Sequence, residues 1–164
     1  MVRIVAIDYK FFSDYGLYKF ENELIPNNES GSHRPYVIVV KLKYNGILYD
    51  FAIPFRSNIA GHRKSDEYFA LPPRKETKAY NVHGLHFIKM FPVKKEYFVK
   101  YNYPMDNPQA LITLNFIKKN IKRLVNEAQN YLIKFADGYR PEFCVNISDL
   151  CKILSECSIN EQQR

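Results

Sequence analysis

The chain has 164 residues, a length typical of one domain, and its 46% hydrophobic and 15% aromatic content excludes a disordered protein. Its longest apolar run, residues 36–40, is far shorter than the roughly 20 residues of a membrane helix, and Asp8 interrupts the N-terminal region where a signal peptide would be apolar. Three cysteines are too few for a disulfide framework. We therefore expect a single domain over residues 1–164, located in the cytoplasm.

Positive charge is concentrated in the middle of the chain. The net charge is +7, and residues 34–101 hold 13 basic and 5 acidic side chains, or +8. The flanking segments hold 3 basic and 5 acidic residues (1–33, −2) and 8 basic and 7 acidic residues (102–164, +1). Such clustering favours a polyanionic partner, although a lysine-rich surface that only increases solubility is the alternative.

The first half of the sequence predicts β-structure. Residues 2–12 are rich in β-branched and aromatic side chains and predict a strand, whereas residues 26–33 are polar turn formers and predict an exposed loop. Asn45-Gly46, between apolar residues 35–44 and 47–53, predicts a hairpin, because this dipeptide readily adopts the positive φ values of a type I′ turn.

The second half predicts a change from strands to helix. Residues 54–78 lack a clean period and predict an irregular basic loop, and residues 82–93 and 97–103 predict two further strands. Apolar side chains recur at helical spacing over residues 111–135, and residues 146–154 predict a short terminal helix. The expected class is α+β with an antiparallel sheet.

Arg56, Ser57 and His62 form the first candidate site, in the loop predicted after the hairpin. Cleavage of RNA by its own 2′-hydroxyl requires a base, a donor or cation for the developing phosphorane charge, and an acid for the 5′-oxygen. These three side chains supply those kinds of group. The alternative is an ordinary surface ion pair, a turn cap and an unremarkable histidine.

His33-Arg34 is the second candidate. Pro35 directs this dipeptide into the first hairpin strand, so the hairpin turn would bring Arg34 to the same end of the sheet as Arg56 and Ser57. Two neighbouring arginines repel each other unless an anion lies between them. Two separately solvated arginines remain the alternative.

The sequence offers no sign of a metal or nucleotide cofactor. His83 and His86 have no Cys, Asp or Glu at ligand spacing, and the cysteines contain no Cys-x-x-Cys pair. Paired carboxylates for two-metal hydrolysis and a glycine-rich phosphate loop are also missing. We therefore expect a protein without cofactors.

Basic and aromatic side chains alternate in the central segment, as in proteins that bind single-stranded nucleic acid. A second group of basic residues lies on the predicted long helix, where a merely solvated face is the alternative. The residues expected to bind RNA are His33, Arg63, Lys64, Arg74, Lys75, Lys78, Lys118, Lys119, Lys122 and Arg123.

Several short motifs follow one another in an order that resembles a known family. They are Arg34-Pro35-Tyr36, the segment IPFRSNI at residues 53–59, His62, and GLHFIK at residues 84–89. Over residues 3–135 this order resembles the type III toxin–antitoxin endoribonucleases, relatives of the ToxN and AbiQ toxins, and is nearest the CptN and TenpN branches.

The resemblance implies a compact, strongly bent antiparallel sheet, similar to the barrel core of MazF and Kid, with a long helix in the C-terminal half and short additional helices. It also implies a sequence-preferring, metal-independent endoribonuclease toxin that leaves a 2′,3′-cyclic phosphate. A repeated pseudoknot RNA antitoxin would inhibit the toxin by binding it directly in a closed protein–RNA assembly, and the system would act in phage defence.

By position, Ser57 matches the serine that the family uses at the cut site, and Arg34 matches a basic residue beside the scissile phosphate. Arg56 stands where some relatives have Thr or Ser, and His62 and Lys89 fit the nearer branches. The expected catalytic set is therefore Arg34, Arg56, Ser57, His62 and Lys89. Ser30–Ser32 stand where ToxN has a tyrosine, which leaves that role unassigned. The rival hypothesis is a non-catalytic RNA-binding protein, in which these residues need not converge.

Overall fold

The computed structural model describes residues 3–17 and 37–162, so the predicted loop 26–33 and the candidates His33 and Arg34 lie outside the described residues. The strands are β1 (Arg3–Ile7), β2 (Val37–Tyr44), β3 (Ile47–Ala60), β4 (Tyr68–Ala70), β5 (Asn81–His86), β6 (Phe91–Val93) and β7 (Phe98–Lys100). The helices are α1 (Lys10–Asp14), α2 (Pro108–Ala136) and α3 (Ile147–Gln162), and Phe87–Lys89 and Lys95–Tyr97 form 3₁₀ turns.

The strands form one antiparallel sheet in the order β4-β5-β3-β2-β1-β7, and β6 also pairs with β3. The class is α+β, as predicted, with the long helix in the C-terminal half. Within residues 3–17 and 37–162, β4 and β7 are the two ends of the sheet and do not pair with each other. The sheet is open, and the expected MazF-like barrel core is not confirmed.

The hairpin of β2 and β3 is confirmed. Asn45 has a φ of 48° and Gly46 a φ of 81°, as a type I′ turn requires. The register runs without interruption from Tyr44 opposite Ile47 to Val37 opposite Pro54.

The prediction of an irregular loop over residues 54–78 is wrong in its first part. β3 continues to Ala60 because it changes partner: Pro54 is the last residue paired with β2, and Phe55 is the first paired with β5. A second piece of the segment, β4, adds to the outer side of β5. These pairings are distant in sequence, so a local period could not reveal them.

Other strands and helices also have boundaries that differ from the predicted ones. The predicted strand 82–93 is two strands, since β5 pairs with the second half of β3 and β6 with the first half, and a 3₁₀ turn separates them. The first strand ends at Ile7, and the aromatic residues after it enter α1, where Phe11 and Phe12 are buried. The predicted strand 97–103 is shortened to β7, and the terminal helix is longer than predicted and reaches Gln162.

Helix α2 begins and ends where its sequence signals lie. The Asn107 side chain caps it by accepting hydrogen bonds from the backbone N–H groups of Gln109 and Ala110, and Gly138 follows the helix with a φ of 102°. The Gln129 amide fixes α2 to β2 by bonding both the N–H and the C=O of Lys43, at 2.8 and 2.9 Å. In the part of the chain that the structure describes, no helix is both long and apolar enough to cross a membrane.

Gly61 follows β3 at a point where the chain has no room for a side chain. A Cβ atom at this position would lie 2.0 Å from the carbonyl oxygen of Tyr80. We expect Gly61→Ala to lower the free energy of unfolding by about 3 kcal/mol, because backbone rather than a flexible side chain would have to move. Urea denaturation measures the loss. Ser65→Ala, an exposed change in the next turn of the chain, should alter stability by less than about 0.5 kcal/mol, and equal effects would contradict the prediction.

Candidate active site

Ser57 lies in an irregularity of β3. Arg56 pairs with Gly84 of β5, but the next regular pair is Ile59 with Val82, so two residues of β3 lie in a bulge. β-Bulges redirect side chains and are common beside active sites. The expected site residues Arg56 and Ser57 are therefore half-buried strand residues rather than part of a free loop.

The second bulge residue, Asn58, ties the basic loop to β3. Its side-chain amide donates to the C=O of Glu76 at 3.0 Å, and its carbonyl oxygen accepts from the backbone N–H of Lys78 at 2.8 Å. The exposed Lys75 and Lys78 are thus held close to the bulge. Asn58 carries no functional signal in the sequence, because an asparagine in a predicted loop is ordinary.

The alternation of side chains places Arg56 and His86 on the same face of the sheet. Arg56 lies opposite Gly84, and His86 is two residues further along β5. Tyr68 of β4 lies opposite His86 and shares that face. The opposite face of these strands is apolar, with Leu85 and Phe69 buried.

His86 marks the place where the basic candidates converge. It is only 7% exposed, and the pKa of its imidazole is lowered to about 3, first by burial and then by the positive charges of Arg56, Arg63 and Lys89. No residue of the described structure forms a hydrogen bond with either ring nitrogen. The sequence indicates only that His86 lacks partners at metal-ligand spacing, since the charges around it come from separate segments of the chain.

Lys89 is buried and faces a turn that follows α2. Its Nζ donates to the C=O of Phe143 at 2.7 Å. The turn is further attached to the 3₁₀ turn of Lys89 by a bond from the N–H of Val145 to the C=O of Ile88 at 2.9 Å. The structure therefore gives Lys89 a role in holding this turn in addition to its charge.

Arg63 reaches the same region from the turn after β3 and is paired there. Its guanidinium lies 3.7 Å from the Glu67 carboxylate, which is buried and also accepts a hydrogen bond from the Tyr139 hydroxyl at 2.5 Å. This bond raises the pKa of Tyr139 to about 12. Lys64 lies over the Tyr139 ring, 5.5 Å from its centre. Glu67 and Tyr139 were not predicted, because neither belongs to a motif.

His62 is separated from Ser57 along the strand. β3 continues for three residues past Ser57, about 10 Å of extended chain, before the turn that contains His62. His62 is exposed there. Of the five expected catalytic residues, Arg56 and Ser57 are neighbours on β3, and the charges of Arg56 and Lys89 act on His86. His62 lies beyond the end of β3, away from Ser57. Arg34 is outside the described residues.

The remaining basic candidates form two groups. The first, in the loop after β4, consists of Arg74, Lys75 and Lys78, and the Arg74 guanidinium lies 3.6 Å from the Glu76 carboxylate. On α2, the exposed members are Lys118, Lys119, Lys122 and Arg123. Arg123 pairs with Glu127 at 3.3 Å and lies over the ring of Phe69, on the apolar side of β4. The basic face of α2 is thus on the other side of the sheet from Arg56.

Residues 3–17 and 37–162 contain no group of three or more His, Cys, Asp or Glu side chains that could hold a metal ion. The buried carboxylate at the candidate site, Glu67, already binds Arg63 and Tyr139. The side chains gathered there are suited to binding an anion.

The lowered pKa of His86 links stability to pH. Between about pH 6.5 and 3 the unfolded chain binds a proton at His86 and the folded chain does not, so stability falls as the pH falls through this range. We expect the wild type to lose about 2 kcal/mol more than His86→Gln between about pH 7 and pH 5. Urea unfolding of both proteins at the two pH values gives this difference, and parallel losses would contradict the assignment.

Comparisons with known proteins place the fold among solved structures from type III toxin–antitoxin systems. One comes from a system in which a non-coding RNA pseudoknot selectively inhibits the toxin; it has a TM-score of 0.68 and 19% identity and covers 96% of this chain and 98% of that one. Another is AbiQ, a lactococcal anti-phage endoribonuclease of a type III system, with a TM-score of 0.68, 17% identity and 99% coverage of both chains.

A third similar structure comes from a bacterial antiviral system regulated by a processed non-coding RNA, with a TM-score of 0.66, 19% identity and coverage of 92% and 95%. No protein-family model matches the chain, and no curated protein matches it. The resemblance inferred from the sequence is therefore confirmed at the level of the fold.

Proposed function

We propose that this protein is a metal-independent endoribonuclease toxin of a bacterial type III toxin–antitoxin system. The observation that carries the proposal is the bulge of β3 that holds Ser57 directly after Arg56, whose charge acts with those of Arg63 and Lys89 on the buried His86. The similar fold of AbiQ, an endoribonuclease, supports it.

In the proposed reaction the 2′-hydroxyl oxygen of RNA attacks the adjacent phosphorus. A bond from the 2′-oxygen to phosphorus forms, the bond from phosphorus to the 5′-oxygen breaks, and a 2′,3′-cyclic phosphate and a 5′-hydroxyl result. Arg34 and Arg56 stabilise the charge of the phosphorane and Ser57 orients the phosphate. The 2′-hydroxyl loses one proton and the departing 5′-oxygen gains one, and His62 carries out this transfer. Lys89 acts as a positioning residue, since its ammonium group binds the turn at Phe143.

We further propose that a repeated RNA pseudoknot is the antitoxin, bound directly in a closed protein–RNA assembly that is active in phage defence. A similar structure comes from a system with such an RNA inhibitor. The exposed lysines Lys64, Lys75 and Lys78 flank the candidate site and can contact its phosphates. An RNA bound there would cover Ser57 and block substrate.

A non-catalytic RNA-binding protein is the second candidate. The distance along β3 between Ser57 and His62 favours it, because proton transfer requires a group within hydrogen-bond reach. In that case the basic surface would bind RNA without cutting it.

Incubation of the purified protein with single-stranded RNA in EDTA separates these functions. The endoribonuclease is expected to cleave at an undiminished rate, because its proposed groups are all side chains. Binding without cleavage, with or without added magnesium, would establish the second candidate. Cleavage that stops on chelation and returns with magnesium would contradict the metal-independent mechanism.

A further inference from the structure

Phe143 has an unfavourable backbone conformation and an exposed ring. Its φ of 62° lies in the left-handed region, where a bulky side chain is rare, and the residue is 63% exposed. Glycine or asparagine would adopt this conformation with less strain. Packing of the ring does not compensate for the strain, since most of the ring is in solvent.

Buried contacts hold the turn in this conformation. Lys89, only 8% exposed, donates to the C=O of Phe143 at 2.7 Å. The N–H of Cys144 bonds the C=O of Pro141 at 3.1 Å, and the N–H of Val145 bonds the C=O of Ile88 at 2.9 Å. The exposed ring is therefore presented from a fixed backbone, and strained positions of this kind cluster at functional sites.

The turn adjoins the cationic cluster of the candidate site. Lys89, which binds Phe143, is three residues after His86, and its charge acts on His86 together with those of Arg56 and Arg63. Here an exposed aromatic residue is joined through its backbone to a lysine of the cationic cluster. Proteins that bind single-stranded nucleic acid combine aromatic rings with cations in this way, because every base has a face that stacks.

We propose that Phe143 is a stacking platform for one base of the RNA that binds at the candidate site. The inference rests on the proposed function, and it adds a base contact to a site otherwise built to hold phosphate. Stacking on one ring tolerates any base, so Phe143 would contribute affinity and fix the strand beside the scissile group. A protein partner would be expected to need a wider apolar patch than one ring.

Two kinds of variant separate the ring from the backbone. Phe143→Gly and Phe143→Asn remove the ring and suit the left-handed conformation, so their thermal stability should equal or exceed that of the wild type. Phe143→Tyr keeps a ring at the cost of the same strain. The probe is a random-sequence single-stranded RNA with 2′-O-methyl riboses, which cannot be cleaved, and its affinity is measured by fluorescence anisotropy.

The expected result is a loss of RNA affinity of about 5- to 150-fold in Phe143→Gly and Phe143→Asn, the range for one stacked base, with a change of less than about threefold in Phe143→Tyr. Wild-type affinity in both ring-free variants would overturn the stacking role and leave the nuclease proposal standing, provided that the wild type cleaves RNA. An equal loss in Phe143→Tyr would also overturn it. A wild type that neither binds nor cleaves RNA would overturn both proposals.

Discussion

Replacement of Ser57 by alanine is expected to reduce RNA cleavage by about 100-fold or more, the effect of removing one preorganised donor. The hydroxyl belongs to the residue of the β3 bulge that directly follows Arg56. Antitoxin RNA should bind almost unchanged, because its affinity is distributed over many phosphate contacts. The growth of cells that express the variant measures the loss of cleavage. The affinity of the same purified protein for the antitoxin RNA measures the binding.

Ser148→Ala is the matched control, since Ser148 is an exposed serine on α3. It should remain as toxic as the wild type. A Ser57→Ala protein that is folded and fully toxic would remove Ser57 from the mechanism. Loss of toxicity together with loss of the folded state would make the bulge serine structural.

Arg56→Gln is expected to reduce cleavage by a similar factor, about 100-fold, because the guanidinium is the cation adjacent to Ser57 in the chain. The same change should raise the pKa of His86, since the positive charge of Arg56 is one of the causes that lower it. Initial rates of cleavage measure the first effect, and NMR titration of the imidazole measures the second.

Arg3→Gln removes an equal charge from β1, where Arg3 contacts the ring of Phe98, and should change neither quantity. A variant at Arg56 with normal cleavage and a raised pKa of His86 would show that Arg56 lies near the histidine without taking part in the reaction. Normal values of both would contradict the described geometry.

The parts of the fold that local sequence determines were predicted well. The hairpin follows from Asn45-Gly46, and α2 follows from the period of its apolar side chains between Asn107 and Gly138. Pairing between distant segments determined the rest. The extension of β3 to Ala60 depends on β5, more than twenty residues later in the chain, and no local pattern contains that partner.

The candidate site was likewise predicted where local motifs indicate it and not where distant segments form it. Arg56, Ser57 and Lys89 were chosen from motifs and from the resemblance, and the structure puts Arg56 directly before a bulge, Ser57 in it and Lys89 under a turn. His86 was considered only as a metal ligand and rejected, because a histidine in a mostly apolar strand does not indicate which charges surround it. Its significance arises only when Arg56, Arg63 and Lys89 approach it from three segments.

The most direct test of the proposed reaction uses an RNA substrate in which the nucleotide on the 5′ side of the cut carries 2′-deoxyribose. Its cleavage in EDTA is compared with that of the all-ribose RNA. Attack by the 2′-hydroxyl predicts that the all-ribose RNA yields a 2′,3′-cyclic phosphate and that the substituted RNA stays intact at that position. Cutting of the substituted RNA at the same bond would show that water is the nucleophile and would contradict the mechanism.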